Sequence, residues 1–84
     1  MRFSILEADM LVDAILKDAG IEGETMADRL SKISPETLSS LGQLWKAHRL
    51  RNQLSEKGEF EVAPVDAESA IAGYEAFLRE VKIL

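Results

Sequence analysis

The sequence predicts an all-α protein: a single domain over residues 1–84, folded as an antiparallel four-helix bundle. Apolar residues recur at helical spacing in four segments, and glycine or proline separates these segments. The connections are short, which places consecutive helices side by side. A chain of 84 residues has room for one domain with a small core.

The first two helices are predicted from their N-terminal signals. Ser4 with Glu7 three residues later forms a capping box, and Thr25 with Asp28 is a similar start for a short second helix. Gly20 is suited to end the first helix. On that helix we expect a core face of Ile5, Ala8, Leu11 or Val12, Ile15 and Leu16. The opposite face is expected to carry Glu7, Asp9, Asp13 and Lys17.

Pro35 leaves the start of the third helix open, because the helix could begin near Pro35 or only after Ser39-Ser40. Its apolar stripe continues to Leu54, and it should end by Gly58. The segment GEFEVAP (58–64) then predicts an extended loop that Phe60 and Val62 hold against the helices.

The fourth helix is predicted to begin with Asp66 as its N-cap and to bury Tyr74 and Phe77. Gly73, in the middle of this helix, costs about 1 kcal/mol relative to alanine. A close approach of another helix at Gly73 would account for this residue.

The composition limits the classes of function. The net charge is −5 and the pI about 4.8, which argues against strong general binding to nucleic acid or anionic membranes but leaves room for a local basic cleft. With no cysteine and one histidine, neither a structural zinc site nor any other metal or cofactor is expected. The chain shows no membrane-spanning run and no signal-peptide core, so a cytoplasmic location is predicted.

The segment LWKAHRLRNQLSEKGEF (44–60) holds the candidate functional residues. His48 could be a partly buried histidine with polar partners, a functional imidazole or an exposed side chain. Arg51 and Asn52 lie three and four residues after His48 and can therefore meet it on one helix surface. Arg51 could hold a phosphate, or it could pair with a carboxylate of the fourth helix or of the acidic loop. Trp45 is expected to anchor the core, with base stacking as the alternative.

Two stretches, WKAHRLRNQL (45–54) and AIAGYEAF (70–77), resemble the C-terminal half of a HEPN domain. They are most similar to small HEPN-like proteins from uncultivated bacteria with reduced genomes, in which an AH-x-x-RN helix leads to a final helix with YE-x-x-F. The resemblance implies a four-helix bundle that dimerises. Many HEPN domains are metal-independent ribonucleases whose cleft forms across the dimer. Their signature is an Arg, usually followed by a polar residue, and a His that is separated from the Arg by four to six intervening residues.

Carried over to this sequence, the HEPN signature is incomplete. The Arg matches Arg51 and the polar residue matches Asn52, but the expected His positions hold Glu56, Lys57 and Gly58. Counting from Arg49 reaches no histidine either. The resemblance therefore implies a bundle that has lost its catalytic histidine.

From these observations we predict a catalytically inactive module for dimerisation and binding, with Arg51, Asn52, His48 and Arg49 as its ligand-binding residues. We expect a homodimer through the third helix, room for a protein partner, and weak nucleic-acid binding or none. Two alternatives stay open. One is a ribonuclease using His48, Arg51 and Asn52 in a dimer cleft; the other is a purely structural helical domain.

Overall fold

The structure is a computed structural model that describes residues 4–57 and 63–82, with the backbone alone at 55–57. Within these ranges the chain is all-helical, with no strand. The helices are α1 (Ile5–Asp18), α2 (Met26–Ser31), α3 (Leu41–Lys57) and α4 (Pro64–Glu80). The predicted all-α class is confirmed.

The caps of the first two helices are those that the sequence predicts. Ser4 Oγ accepts a hydrogen bond from the Glu7 backbone N–H at 3.1 Å, and Thr25 Oγ1 accepts one from Asp28 at 3.1 Å. After α1 the chain turns at Gly20, whose φ of +84° lies in the left-handed region that glycine adopts without strain. These local signals set where α1 begins and ends and where α2 begins.

The start of α3 is settled in favour of the later position. Ser34 to Leu38 form a separate turn in which the Ser34 carbonyl accepts from Thr37 and Leu38, and α3 begins at Leu41. This turn places Leu38 in the core, where it is 7% exposed.

The prediction that Asp66 caps α4 is wrong. The N-cap is Ala63, and Pro64 is the first helical residue. Proline suits this position because its φ is already helical and its missing N–H would have no partner in the first turn. Asp66 lies inside that turn, where its charge complements the helix dipole. The predicted loop contacts of Phe60 and Val62 lie outside the described residues.

Helix α3 contacts each of the other three helices, and its start meets the end of α4. The last residue of α4, Glu80, accepts hydrogen bonds from the Ser39 and Ser40 N–H groups just before α3, both at 2.8 Å. Further along, a Cβ at Gly73 would lie 2.9 Å from the Gln43 carbonyl oxygen. The close approach expected at Gly73 is therefore present.

The core is continuous across all four helices. Tyr74 and Phe77 are fully buried as predicted, and Trp45 packs against the core while part of its ring stays at the surface. None of the helices in the described part is long and apolar enough to cross a membrane. The buried apolar residues are Ile5, Ala8, Val12, Leu16, Met26, Leu30, Leu38, Leu41, Leu44, Ala47, Ala70, Tyr74, Phe77 and Leu78.

Candidate functional site

The carboxylate of Asp9 lies inside the protein, and this corrects the sequence analysis, which placed it on the outer face of α1. Asp9 is only 5% exposed. It lies one turn after Ile5 and one turn before Val12, so helical geometry puts it on the same stripe as these two core residues. A buried carboxylate needs hydrogen-bond donors around it, because an unpaired one would be strongly destabilising.

Two other helices supply those donors. Tyr74 Oη of α4 donates to Asp9 Oδ1 at 2.7 Å, and His48 Nδ1 of α3 lies 2.9 Å from the same oxygen. Because a carboxylate can only accept, Nδ1 of His48 carries the hydrogen of this bond. One oxygen of α1 thus joins α3 and α4 inside the core.

The Tyr74 hydroxyl stays in its neutral, donating form. Burial raises the pKa of Tyr74 far above its usual value, and the hydrogen bond to the Asp9 carboxylate raises it further. Ionising this phenol would place a second negative charge beside Asp9 without water to solvate it.

Arg51 is the third partner of Asp9, at a longer distance. Its Nε lies 3.6 Å from Asp9 Oδ2, and its Nη1 donates to Asn52 Oδ1 at 3.3 Å. The sequence predicts the carboxylate partner of Arg51 on the fourth helix or in the acidic loop, whereas the partner found among the described residues is Asp9 of α1. The acidic loop lies outside the described residues. The Arg51 side chain is 34% exposed, so part of its guanidinium faces solvent.

His48, Arg51 and Asn52 meet at one cleft of about 400 Å³ between α1, α2 and α3. The expectation that these three residues share a surface is confirmed. His48 is 8% exposed and closes the cleft at its inner end, whereas Asn52 is at the surface. The complete lining consists of Asp9, Met10, Asp13, Thr25, Met26, Ala27, His48, Arg51 and Asn52.

Arg49, predicted to bind ligand together with these residues, lies elsewhere. Its guanidinium carbon is 5.7 Å from the centre of the Trp45 ring, and its side chain lines a groove between α3 and α4. One helical turn has 3.6 residues, so Arg49 and Arg51 point in directions about 160° apart. The single helix therefore presents its cations on two separate surfaces.

Asp13, which lines the cleft, takes part in an ion pair that the sequence does not predict. Arg29 Nη1 of α2 donates to Asp13 Oδ1 of α1 at 2.7 Å, and its Nη2 donates to the Gly23 carbonyl at 2.9 Å. The Arg29 side chain is 9% exposed. The local sequence does not identify Arg29 as a buried, ion-paired residue, because its partners lie on another helix and in the preceding loop.

The cleft offers donors for an anionic or carbonyl group rather than a metal site. No group of three or more His, Cys, Asp and Glu side chains among the described residues could hold a metal ion. Asp9 already has its own donors, whereas the exposed part of Arg51, next to the Asn52 amide, faces solvent and can donate to a bound group.

Comparisons with known proteins give no further guide to the site. No protein-family model matches the chain, and neither the curated proteins nor the solved structures include a significant match.

Proposed function

We propose that this chain is a HEPN-like module, folded as an antiparallel four-helix bundle, that works by dimerisation and binding and not by catalysis. The cleft of His48, Arg51 and Asn52 is its binding surface, and a second copy pairs with it about a two-fold axis. Arg51 is the anchor, through a carboxylate or a phosphate of whatever it binds.

The observation that carries the proposal is the hydrogen bond between His48 Nδ1 and the buried Asp9. This bond gives the only histidine a structural task, since it links α3 to α1 where His48 is 8% exposed. Arg51 and Asn52, by contrast, keep surface at the mouth of the cleft. A substrate would therefore have little access to the imidazole of His48, whereas a ligand can reach the guanidinium of Arg51.

Exposed apolar side chains next to the cleft support pairing on this side of the molecule. Met10 lines the cleft and is 69% exposed, and Leu6, one turn earlier on α1, is 44% exposed. An arginine beside such apolar residues is a common composition for the centre of a protein interface.

Arg51→Ala tests this proposal when its self-association and its stability are measured together. By analytical ultracentrifugation we expect the dimer to weaken roughly tenfold or more, as for an interface anchor. Urea denaturation should show a small loss of stability, because Asp9 keeps its bonds to Tyr74 and His48. The control is Arg79→Ala, which removes an exposed arginine paired with Glu75 on α4.

The opposite pattern would replace this proposal with the structural alternative. In that case Arg51→Ala would lose most of its stability and leave self-association as it is in the wild type.

One geometric feature favours the ribonuclease alternative. A carboxylate that holds Nδ1 of a histidine fixes the tautomer and leaves Nε2 as a base, which is how catalytic imidazoles are oriented. Asp9 holds His48 in this way at the inner end of the cleft.

His48→Asn separates this role from a structural one, because the asparagine amide can still donate to Asp9 but offers no base. The ribonuclease interpretation requires RNA cleavage by the wild type that disappears in a folded His48→Asn protein. Absence of cleavage by the wild type removes that interpretation.

A further inference from the structure

A second concave surface, here called the α3/α4 groove, lies between these two helices. Its volume is about 540 Å³. Ala47, Ala70 and Gly73 form its floor, and all three are buried. Lys46 and Arg49 of α3 and Asp66 of α4 stand on its rim. It shares no lining residue with the cleft of His48, Arg51 and Asn52.

Positive charge is concentrated on the helix that forms one wall of this groove. Helix α3 carries four of the chain's ten lysines and arginines, but only one of its fifteen acidic residues. Among the ion pairs of the described residues, neither Lys46 nor Arg49 takes part. The two cations therefore reach solvent beside an uncharged floor, in a protein of net charge −5.

We propose that the α3/α4 groove binds an acidic amphipathic helix of a partner protein. Above this floor, the partly buried Leu50 and the exposed Ala72 of the lining offer apolar contact to such a helix, as ridges of one helix pack into grooves of others. Carboxylates along the flank of the incoming helix meet Lys46 and Arg49. This inference concerns a different surface from the cleft, so it stands or falls separately from the proposed function.

Charge complementarity favours this occupant over nucleic acid, which would need a longer row of cations than the two on this rim. At about 0.1 M salt, charges more than about 10 Å apart are largely screened, so the local cations decide the attraction of an acidic helix.

The probe is a labelled synthetic peptide about 20 residues long, since shorter helices are marginal in water. It carries leucines at helical spacing with glutamates on both flanks, and a second peptide replaces every glutamate by lysine. In NMR titrations of the ¹⁵N-labelled full chain, we expect the acidic peptide to shift the amides of Ala47, Ala70 and Gly73. The lysine peptide should leave them in place.

Two variants connect the binding to the groove. Lys46→Glu should lower the affinity for the acidic peptide roughly three- to tenfold, as expected for reversing one exposed charge. Lys82→Glu changes the net charge equally at a site outside the groove and should leave the affinity unchanged. Ala72→Trp, at an exposed lining position, should block binding, whereas Ala14→Trp on exposed α1 should not. Circular dichroism establishes that each variant is folded.

Several outcomes would overturn the inference. Absence of amide shifts with the acidic peptide would do so, as would equal binding of the lysine peptide or shifts confined to the residues around Arg51. Displacement of the peptide by single-stranded RNA would assign the groove to phosphates instead. Self-association that Lys46→Glu abolishes would assign it to a second copy.

Discussion

At the scale of single residues, Asp9 is the position on which the most other groups depend. One oxygen of its carboxylate accepts hydrogen bonds from Tyr74 Oη and His48 Nδ1, and Arg51 lies near the other oxygen. Tyr74 is 1% exposed and His48 8%, so neither could turn to water if Asp9 were removed. A satisfied network of this kind joins helices in one specific arrangement, whereas a broken one leaves several groups without partners.

Asp9→Ala should therefore be strongly destabilising. It leaves two buried donors unpaired at about 1–3 kcal/mol each, so we expect the free energy of unfolding to fall by roughly 2–6 kcal/mol. A chain of this length has only about 4–13 kcal/mol in total. Urea denaturation followed by circular dichroism measures the loss, with exposed Asp18→Ala on the same helix as the control. Similar stabilities for the two variants would contradict the network.

Tyr74 provides a test at alkaline pH. Its pKa in the folded protein is raised by burial and by Asp9, whereas in the unfolded chain it ionises near its usual value of about 10. As the pH rises, Tyr74 therefore loses its proton at a lower pH in the unfolded state than in the folded state. The contribution of Tyr74 to stability is complete below about pH 10 and is lost as the pH rises above this value. The loss should be smaller in Tyr74→Phe.

The same group can be followed directly, because Tyr74 is the only tyrosine of the chain. Phenolate absorbance should appear together with unfolding and not before it. A titration near the usual pKa of tyrosine in a protein that remains folded would contradict the burial of this hydroxyl.

The sequence indicated part of this network. Burial with polar partners was one of the alternatives for His48, and Tyr74 was expected in the core; the structure shows both. Asp9 could not be chosen, because aspartate is usually exposed and the partners that compensate its burial are 39 and 65 residues away in the sequence. Local pattern predicts faces and caps well, whereas contacts between distant polar groups require the packed helices.

At the scale of helices, Glu80 links the end of α4 to the start of α3. Its carboxylate accepts hydrogen bonds from the N–H groups of Ser39 and Ser40, and these bonds hold the pKa of the Glu80 carboxyl below the usual range. Because the folded pKa is the lower one, this stabilisation is present above the unfolded value of about 4.3 and is lost as the pH falls through the folded pKa. The capping carboxylate therefore contributes at neutral pH.

Glu80→Gln should melt at a lower temperature than the wild type at neutral pH, and the difference should shrink as the pH falls through the lowered pKa of the Glu80 carboxyl. Glu75→Gln is the control, since Glu75 pairs only with exposed Arg79 among the described residues. A difference between Glu80→Gln and wild type that stays constant down to acid pH would exclude a charged cap.

Two glycines test the closeness of α3 and α4. Alanine at Gly73 would gain about 1 kcal/mol of helix propensity, but its Cβ would lie 2.9 Å from the Gln43 carbonyl, and overpacking of this kind costs about 1–3 kcal/mol. We therefore expect Gly73→Ala to be destabilising. Gly42→Ala meets nothing within 4 Å and should be stabilising. If both variants gain stability in thermal melts, the two helices are further apart than described.

At the scale of the whole molecule, three cations of α3 lie on two separate surfaces. Arg51 turns toward Asp9 and the cleft, while Lys46 and Arg49 turn toward the α3/α4 groove on a different surface. Arg49 was predicted to bind ligand together with Arg51, which is only two residues further along the chain. Helical geometry separates them, and so one helix can serve self-pairing on one surface and an acidic partner on the other.

The solution mass, measured by light scattering across a concentration series, tests the central claim most directly. The account predicts a mass twice that of the 9.3 kDa chain that persists to low micromolar concentration. A mass of one chain at the highest concentration would contradict it. That result would remove the two-fold site at Arg51, together with any ribonuclease cleft that depends on two copies.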